Sequence, residues 1–578
     1  MSRRVCVIGA GASGLTTIKG CLEEGLEPTC FESSDDIGGL WRFKETPEPG
    51  RASIYRSLVV NTSKEMMCFS DFPMPPEYPN YMTHSQLLQY FRLYAQHFDL
   101  LRHIIFRTSV QSVRQQPDFS HSGQWEVVTK HRDGREDTHI FDGVLVCKQR
   151  VCRTITNKSA RAIYPWLHYL FNPPTFVFHT GHESFPGRCL HSWEYKDAEA
   201  FRGKRVVVIG IGNSGGDIAV EISRAAEKTF LSTREGSWVA ARMSSNGLPL
   251  DMKVLTRFVA VLPRWLLNWL AHRTLNKRFD HRLYGLQPSD RSMDQRLLIN
   301  DDLPGRILQG GIVMKPNLTE FKGSGLQFQD GTIEEDIDAV IFCTGYRSNF
   351  PFLPQSLWSG PEGELTLYRR VFPPSLECPT LAVIGMFQSK GPIFPGMEMQ
   401  VRWAARVMAG LNQLPPPEKM LSIIEMERKR NMKRYQCPIQ AALKVDWIPY
   451  LDSMAKEIGV RPNLAWLLLT EPGLGLRVLF GPCTPYQYRL RGPGQWDGAR
   501  QAILTQWERV AQPFKTRLVP EPDPDRPWAL LSPWLITLGG AAVLLVVVLS
   551  QCQLNCSLHD TLQQGFPTFL GMKATCKK

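Results

Sequence analysis

Val5-Cys6-Val7-Ile8-Gly9-Ala10-Gly11-Ala12-Ser13-Gly14 is an apolar run, then a glycine turn, and the helical pattern that follows continues to Glu24. Glycines at this spacing allow a tight turn after a strand. They also let a pyrophosphate approach the backbone N–H groups at a helix start. A GxGxxG alone arises easily by chance, but here the context agrees. A second strand, Pro28-Thr29-Cys30-Phe31, ends in Glu32, about twenty residues on, where a carboxylate accepts hydrogen bonds from a ribose diol. Gly9, Ala10, Gly11, Ala12, Ser13, Gly14 and Glu32 therefore read as one dinucleotide site.

The chain holds a second such motif. Gly210-Ile211-Gly212-Asn213-Ser214-Gly215 follows the strand Arg205-Val206-Val207-Val208-Ile209, and its helix is expected over Asp217 to Ala226. The next strand ends Phe230-Leu231-Ser232-Thr233-Arg234, so Thr-Arg stands where the first motif has its acid. A carboxylate would repel a ribose 2′-phosphate, whereas a hydroxyl beside a guanidinium holds it. On residue chemistry the first site reads as FAD and the second as NADPH, with a plain surface arginine as the alternative for Arg234. Two such sites on one chain imply hydride transfer from NADPH to a flavin. A disulfide reductase would need a cysteine pair beside the flavin. Cys147-Lys148-Gln149-Arg150-Val151-Cys152 has a suitable spacing, but it follows the strand Val144 to Val146 instead of lying on the early helix, so it is read as coincidence. His179-Thr180-Gly181-His182 lacks a third ligand cluster, and no metal is expected.

The 578 residues allow up to about four domains at roughly 150 residues each. With 43% hydrophobic and 21% charged residues, a packed core is expected rather than disorder. The net charge of +12 is spread along the chain, with no basic run longer than Arg428-Lys429-Arg430, so no nucleic-acid partner is expected. The 14 cysteines form no zinc-ligand repeat, which favours a reducing compartment. Arg3-Arg4 precede an apolar run, but the glycine turn cuts it too short for a signal peptide.

One long uncharged apolar stretch exists, Trp528 to Ser550. As a helix it would be about 35 Å long, enough for a hydrocarbon core of about 30 Å. Trp528 and Trp534 sit near its upstream end, and Leu544 to Leu549 shows no polar face. Lys515, Arg517 and Arg526 lie before it and the next lysine after it is Lys573. That bias places the large N-terminal part on the cytoplasmic side. Pro520, Pro522, Pro524 and Pro527 make the approach a stiff linker. Val254 to Leu270, with Trp265 and Trp269, is a second candidate apolar surface. The sequence assigns no oligomeric state.

Further motifs carry a resemblance. Asp36-Ile37-Gly38-Gly39-Leu40-Trp41, Asn61-Thr62-Ser63-Lys64-Glu65-Met66, the pattern Phe185-x-Gly187-x3-His191-x3-Tyr195 and Phe342-Cys343-Thr344-Gly345-Tyr346 join the two glycine motifs. Together they resemble the flavin-containing monooxygenases, the N-oxide-forming dimethylaniline monooxygenases. Tyr486 to Arg500 and the tail look most like the fourth mammalian branch. The resemblance implies an α/β fold with two Rossmann-like dinucleotide-binding domains, the NADP domain inserted in a split FAD domain, plus a C-terminal transmembrane helix. The expected division is an FAD part over 1–147, an atypical segment over 148–184, an NADP domain over 185–325, and a second FAD part with C-terminal segments over 326–510. A linker over 511–527, an anchor over 528–550 in the endoplasmic reticulum membrane and a short tail over 551–578 would follow.

The implied reaction uses NADPH and O2 to oxygenate a nucleophilic nitrogen or sulfur of a small xenobiotic through a flavin C4a-hydroperoxide. The resemblance puts Gly9 to Gly14, Glu32, Leu40, Trp41, Asn61 and Thr62 on FAD. Val60, Asn61, Gly210, Gly212, Asn213, Ser214, Gly215, Gly216 and Asp217 would border NADP, with Thr233 and Arg234 on the 2′-phosphate. Asn61 is the residue expected to act in the chemistry, as an amide donor near flavin and nicotinamide, while His191 and Tyr195 are expected to be structural. The match breaks after Cys147, where a Thr-Gly or Ser-Gly turn is replaced by Lys148-Gln149-Arg150. Two other functions therefore stay open, a membrane-anchored nucleotide-binding pseudoenzyme and an uncoupled NADPH oxidase.

Overall fold

A computed structural model describes residues 2–48, 51–147, 181–288, 297–346, 350–360, 365–435 and 442–517. Residues up to Phe514 make one compact unit. Lys515–Lys578 make another, of which 515–517 are described.

The first motif lies in a five-stranded parallel sheet, in the order Leu381–Val383, Gly143–Val146, Arg4–Ile8, Glu27–Phe31, Ile104–Ile105. The second lies in another, in the order Ile312–Lys315, Lys228–Ser232, Arg205–Ile209, Ala339–Phe342, Arg188–His191. Strands covered on both faces need no polar alternation, and Val206 to Ile209 and Ala339 to Phe342 are buried throughout. The first sheet takes its closing strand, Leu381–Val383, from beyond the whole second sheet. One parallel α/β unit is thus inserted in another. The second sheet, however, runs past the expected boundary at 325. Its strand Ala339–Phe342 lies between Arg205–Ile209 and Arg188–His191, after an antiparallel excursion over Leu318–Lys322, Gly325–Phe328 and Ile333–Glu334. That polar excursion hid the last buried strand from a sequence boundary.

A three-stranded meander, Thr108–Gln115, Trp125–His131 and Glu136–Phe141, covers the first sheet, and Trp125 and Val127 reach its core. The helix Ala12–Glu23 packs on Ile393–Met408 so closely that a Cβ on Gly20 would lie 2.6 Å from Val401 Cγ1. The second motif's helix is Asn213–Ile222, not Asp217 to Ala226. Gly215 and Gly216 belong to its first turns, where backbone and the Leu298 side chain lie too close to admit a Cβ. Ala225 and Ala226 instead close a turn on Ile222 O.

No helix among the described residues is long and apolar enough to cross a membrane. The expected anchor over 528–550, its proline-rich approach, Cys152 and most of the atypical segment lie outside the described residues.

Candidate functional site

The two glycine motifs are built alike. Gly9 and Gly210 take φ of 99° and 103°, left-handed values that favour glycine. A Cβ on Gly14 would lie 1.8 Å from Gly9 O, and one on Gly215 would lie 1.8 Å from Gly210 O. Each helix starts from a glycine, Gly11 or Gly212, with no side-chain cap. The first N–H groups therefore stay available to a phosphate. Gly9 N donates to Phe31 O at 2.9 Å and Gly210 N to Ser232 O at 2.9 Å. Glu32 and Thr233 thus occupy the same position in their sheets. So do Cys147 and Cys343, whose N–H groups donate to Ile8 O at 3.0 Å and Ile209 O at 2.8 Å. Thr344-Gly345 follows Cys343, with Gly345 at φ 91°, where Lys148-Gln149 follows Cys147.

Glu32 is 2% exposed. Its Oε2 accepts from Ala10 N at 2.8 Å. Its Oε1 accepts from Ser34 N at 2.8 Å, Ser34 Oγ at 2.7 Å and Arg51 Nη2 at 2.7 Å. Burial pushes this carboxyl up, but the Arg51 guanidinium and the N–H groups of Ala10 and Ser34 outweigh it, so it stays below its ordinary value. Gly38 N donates to Ala10 O at 3.0 Å, and a Cβ on Gly39 would lie 3.1 Å from Gly11 Cα. This contact lays Leu40 and Trp41 along the first motif. Trp41 meets Phe394 edge-on at 6.0 Å.

One cavity of about 620 Å³ joins these parts, lined by Gly9, Gly11, Glu32, Leu40, Trp41, Val60, Asn61 and Thr62 and by Asn213 of the second motif. Its size falls in the range of small-molecule and cofactor sites. The glycine cradle, the free helix N–H groups and the buried Glu32 fit FAD.

Asn61 is gripped from the other domain. Arg242 Nη2 donates to Asn61 Oδ1 at 2.7 Å and Arg242 Nε to Val60 O at 3.1 Å. Arginine has no acceptor, so the amide carbonyl must face it and the Asn61 NH2 points away. Asp301 holds Arg242 through its backbone N at 2.9 Å and its Nη1 at 2.9 Å. Tyr81 donates to Arg242 O at 2.7 Å. Ser63 N donates to Asp251 Oδ2 at 2.6 Å, and burial raises the Asp251 carboxyl. Sequence reasoning missed Arg242, Asp251, Tyr81 and Asp301, which share no spacing with Asn61 along the chain. Thr62 turns its hydroxyl to Met67 Sδ at 3.0 Å.

In the second motif, Asn213 Oδ1 accepts from Ile299 N at 3.1 Å. Asp217, expected to border NADP, turns its carboxylate elsewhere. Oδ2 accepts from Tyr55 Oη at 2.6 Å and Oδ1 from Asn300 Nδ2 at 2.7 Å. Burial raises this carboxyl despite those bonds. Thr233 Oγ1 accepts from Gly236 N at 3.0 Å. Arg234 is exposed and makes no ion pair among the described residues. His191 Nδ1 accepts from Trp193 N at 3.1 Å, and the Tyr195 ring packs edge-on to Tyr55 at 6.1 Å. Both residues hold the entry to the inserted domain. Among the described residues no three His, Cys, Asp or Glu side chains could hold a metal.

Comparisons with known proteins agree with this geometry. The family model described as flavin-binding monooxygenase-like matches residues 2–553. Flavin-containing monooxygenase 5 of Mus musculus is 50% identical over 521 residues, covering 89% of this chain and 94% of that protein. Dimethylaniline monooxygenase [N-oxide-forming] 2 of Cavia porcellus is 48% identical over 523 residues, covering 90% and 94%. Similar identity to two branches assigns no branch. The structure of S-allyl-L-cysteine S-oxygenase from Allium sativum shares the fold, with a TM-score of 0.59 at 23% identity over 89% of this chain and 99% of that one. A match over nearly the whole length, with both nucleotide cradles in place, means that the chain belongs to the flavin-containing monooxygenase family, an enzyme family that works with FAD and NADPH.

Proposed function

We propose that the chain oxygenates soft nucleophilic nitrogen or sulfur centres of small xenobiotics, using NADPH and O2. The observation that carries this reading is the single cavity running from the first glycine motif past Asn61 to Asn213. The helix start at Ala12 would hold the FAD pyrophosphate and Glu32 its ribose. Asn213 to Gly216 would hold NADPH, with Thr233 and Arg234 on its 2′-phosphate. FAD, when bound, would supply the redox chemistry between NADPH and O2. The protein's part is placement. Asn61 presents an amide N–H2 fixed by Arg242, and Phe387, Phe394 and Met397 form an apolar wall of the cavity that limits water.

A relative at 48% identity is named for N-oxide formation from dimethylaniline, which supports tertiary aryl amines as the first substrates to test. The test is full-length purified protein examined for bound flavin, bleached anaerobically by NADPH, then aerated with a tertiary aryl amine or a thioether. The reading expects N-oxide or S-oxide formed in step with NADPH consumed. The replacement of Thr-Gly by Lys148-Gln149, at the position equivalent to Thr344-Gly345, favours a second reading in which oxygenation is lost. Peroxide in place of product would assign an uncoupled oxidase, and bound nucleotide with neither product nor peroxide a pseudoenzyme.

The same reading makes the chain a single-pass protein of the endoplasmic reticulum membrane with its catalytic part in the cytosol. Trp528 to Ser550 supports this, and so do exposed apolar side chains on the catalytic part. Trp265 and Trp269 stand out from the helix Arg264–Arg278 at 72% and 54% exposure, and Leu469 from Leu464–Thr470 at 81%. Arg264, Arg273 and Lys277 flank the tryptophans on the same helix, a composition suited to a lipid interface.

A further inference from the structure

A strap of chain from Arg51 to Asn61 touches both nucleotide motifs before it reaches the Asn61 amide. At its start the Arg51 guanidinium donates to Glu32 Oε1 at 2.7 Å. The Arg51 carbonyl accepts from Trp193 Nε1 at 2.6 Å, which fixes its backbone to the entry of the inserted domain. Two further bonds run along that entry, from Arg56 N to Lys196 O at 2.9 Å and from Lys196 Nζ to Ile54 O at 3.2 Å. At mid-strap the buried Tyr55 donates its hydroxyl to Asp217 Oδ2 at 2.6 Å. Ser57 donates to Glu221 Oε2 at 2.7 Å. Both acids lie on the helix Asn213–Ile222, which starts at the second glycine motif. At its end Val60 O and Asn61 Oδ1 accept from Arg242.

The Tyr55 bond is the attachment to that helix least able to slide. It is a short bond from hydroxyl to carboxylate in a buried setting, where such bonds are strongest. The other carboxylate oxygen is already held by Asn300 Nδ2 at 2.7 Å, so Asp217 has no second position to offer. Arg242 grips the far end of the strap but touches neither glycine motif. Any shift of the Asn213–Ile222 helix when a nucleotide binds is therefore passed through Tyr55 to a strap whose other end lies on the FAD ribose acid.

We infer that Tyr55 is a positioning residue that couples the two nucleotide sites, so that NADP⁺ at the second motif holds FAD in the first. The inference rests on the assignment of those sites to FAD and NADPH. Coupling between sites is reciprocal, so it can be read from flavin release alone, without turnover. Holoenzyme is diluted and the rise of free-flavin fluorescence gives the release rate, with and without saturating NADP⁺. NADP⁺ should slow release on the order of tenfold in the unaltered protein. Tyr55→Phe should abolish that ratio, and Asp217→Ala should do the same. The double variant should lose nothing more, because the two changes break one bond. The ratio, not the absolute rate, is the reading, so a general loosening of either variant does not imitate the result. A ratio preserved in Tyr55→Phe, or no protection by NADP⁺ in the unaltered protein, would overturn the inference while leaving both site assignments standing. Protein that carries no flavin would remove both together.

Discussion

Glu32 and Thr233 show how much one residue decides at an otherwise identical position. Each follows the strand beside its glycine motif, yet one is a buried carboxylate and the other a hydroxyl followed by the exposed Arg234. Arg234→Ala should raise the KM for NADPH and leave that for NADH nearly unchanged, because only NADPH carries the 2′-phosphate. A charge-assisted contact of about 1.5–3 kcal/mol is at stake, and equal losses for both cofactors would take Arg234 out of that role. Glu32 also gives a pH dependence whose sign follows from its setting. Its carboxyl lies below the ordinary value of 4.5 in the folded protein. It therefore stabilises the fold above that value, and the contribution disappears as pH falls through the lower folded value. Thermal unfolding followed from pH 7 downward should show a stability loss below about pH 4.5 that is shallower in Glu32→Gln. An unaltered acid limb in that variant would contradict this account.

At the scale of elements, the two strand–turn–helix units are the same object built twice, and their glycines can be tested one site at a time. Alanine at Gly14 or Gly215 would bring a Cβ to 1.8 Å of a backbone carbonyl oxygen, which only a displaced turn can relieve. Gly14→Ala should yield protein without flavin. Gly215→Ala should keep its flavin and lose the NADP⁺-induced change in the flavin spectrum. Retention of both nucleotides in both variants would mean the turns are more compliant than their geometry allows. The glycines were legible from spacing alone, but the start of the second helix was not. Gly215 and Gly216 looked like a turn in the sequence, yet they lie in the first turns of the helix, against Gly210 O and Leu298.

At the scale of the whole molecule, the C-terminal segment is riveted to the FAD side by buried charge. Arg489 is 2% exposed at its side chain and pairs with Asp71 at 2.8 Å and Glu398 at 3.0 Å, while its Nε donates to Ser70 Oγ at 2.6 Å. Lys19 pairs with Asp71 at 2.7 Å. Removing Arg489 takes the guanidinium from the buried Glu398 and leaves Asp71 with Lys19 alone, so Arg489→Met should cost about 3–5 kcal/mol of stability, read as a lowered unfolding midpoint of the holoenzyme. A change below about 1 kcal/mol would show that the cluster relaxes or admits water. Truncation after Pro520 should release the protein from carbonate-washed membranes with its flavin content unchanged. If it still sediments, substituting Trp265 and Trp269 should release it. The sequence by itself determined the two glycine cradles and the contrast between a carboxylate beside the first and Thr-Arg beside the second. Each of these depends on a few residues close together, with glycine, carboxylate and arginine at set spacings. Only the tertiary structure decided what holds Asn61 and where the inserted domain ends. Arg242 and Asp251 reach the Asn61 loop, and Tyr55 reaches Asp217, across 162 to 188 positions of sequence. No local pattern records such contacts, because they arise from the packing of one domain on another.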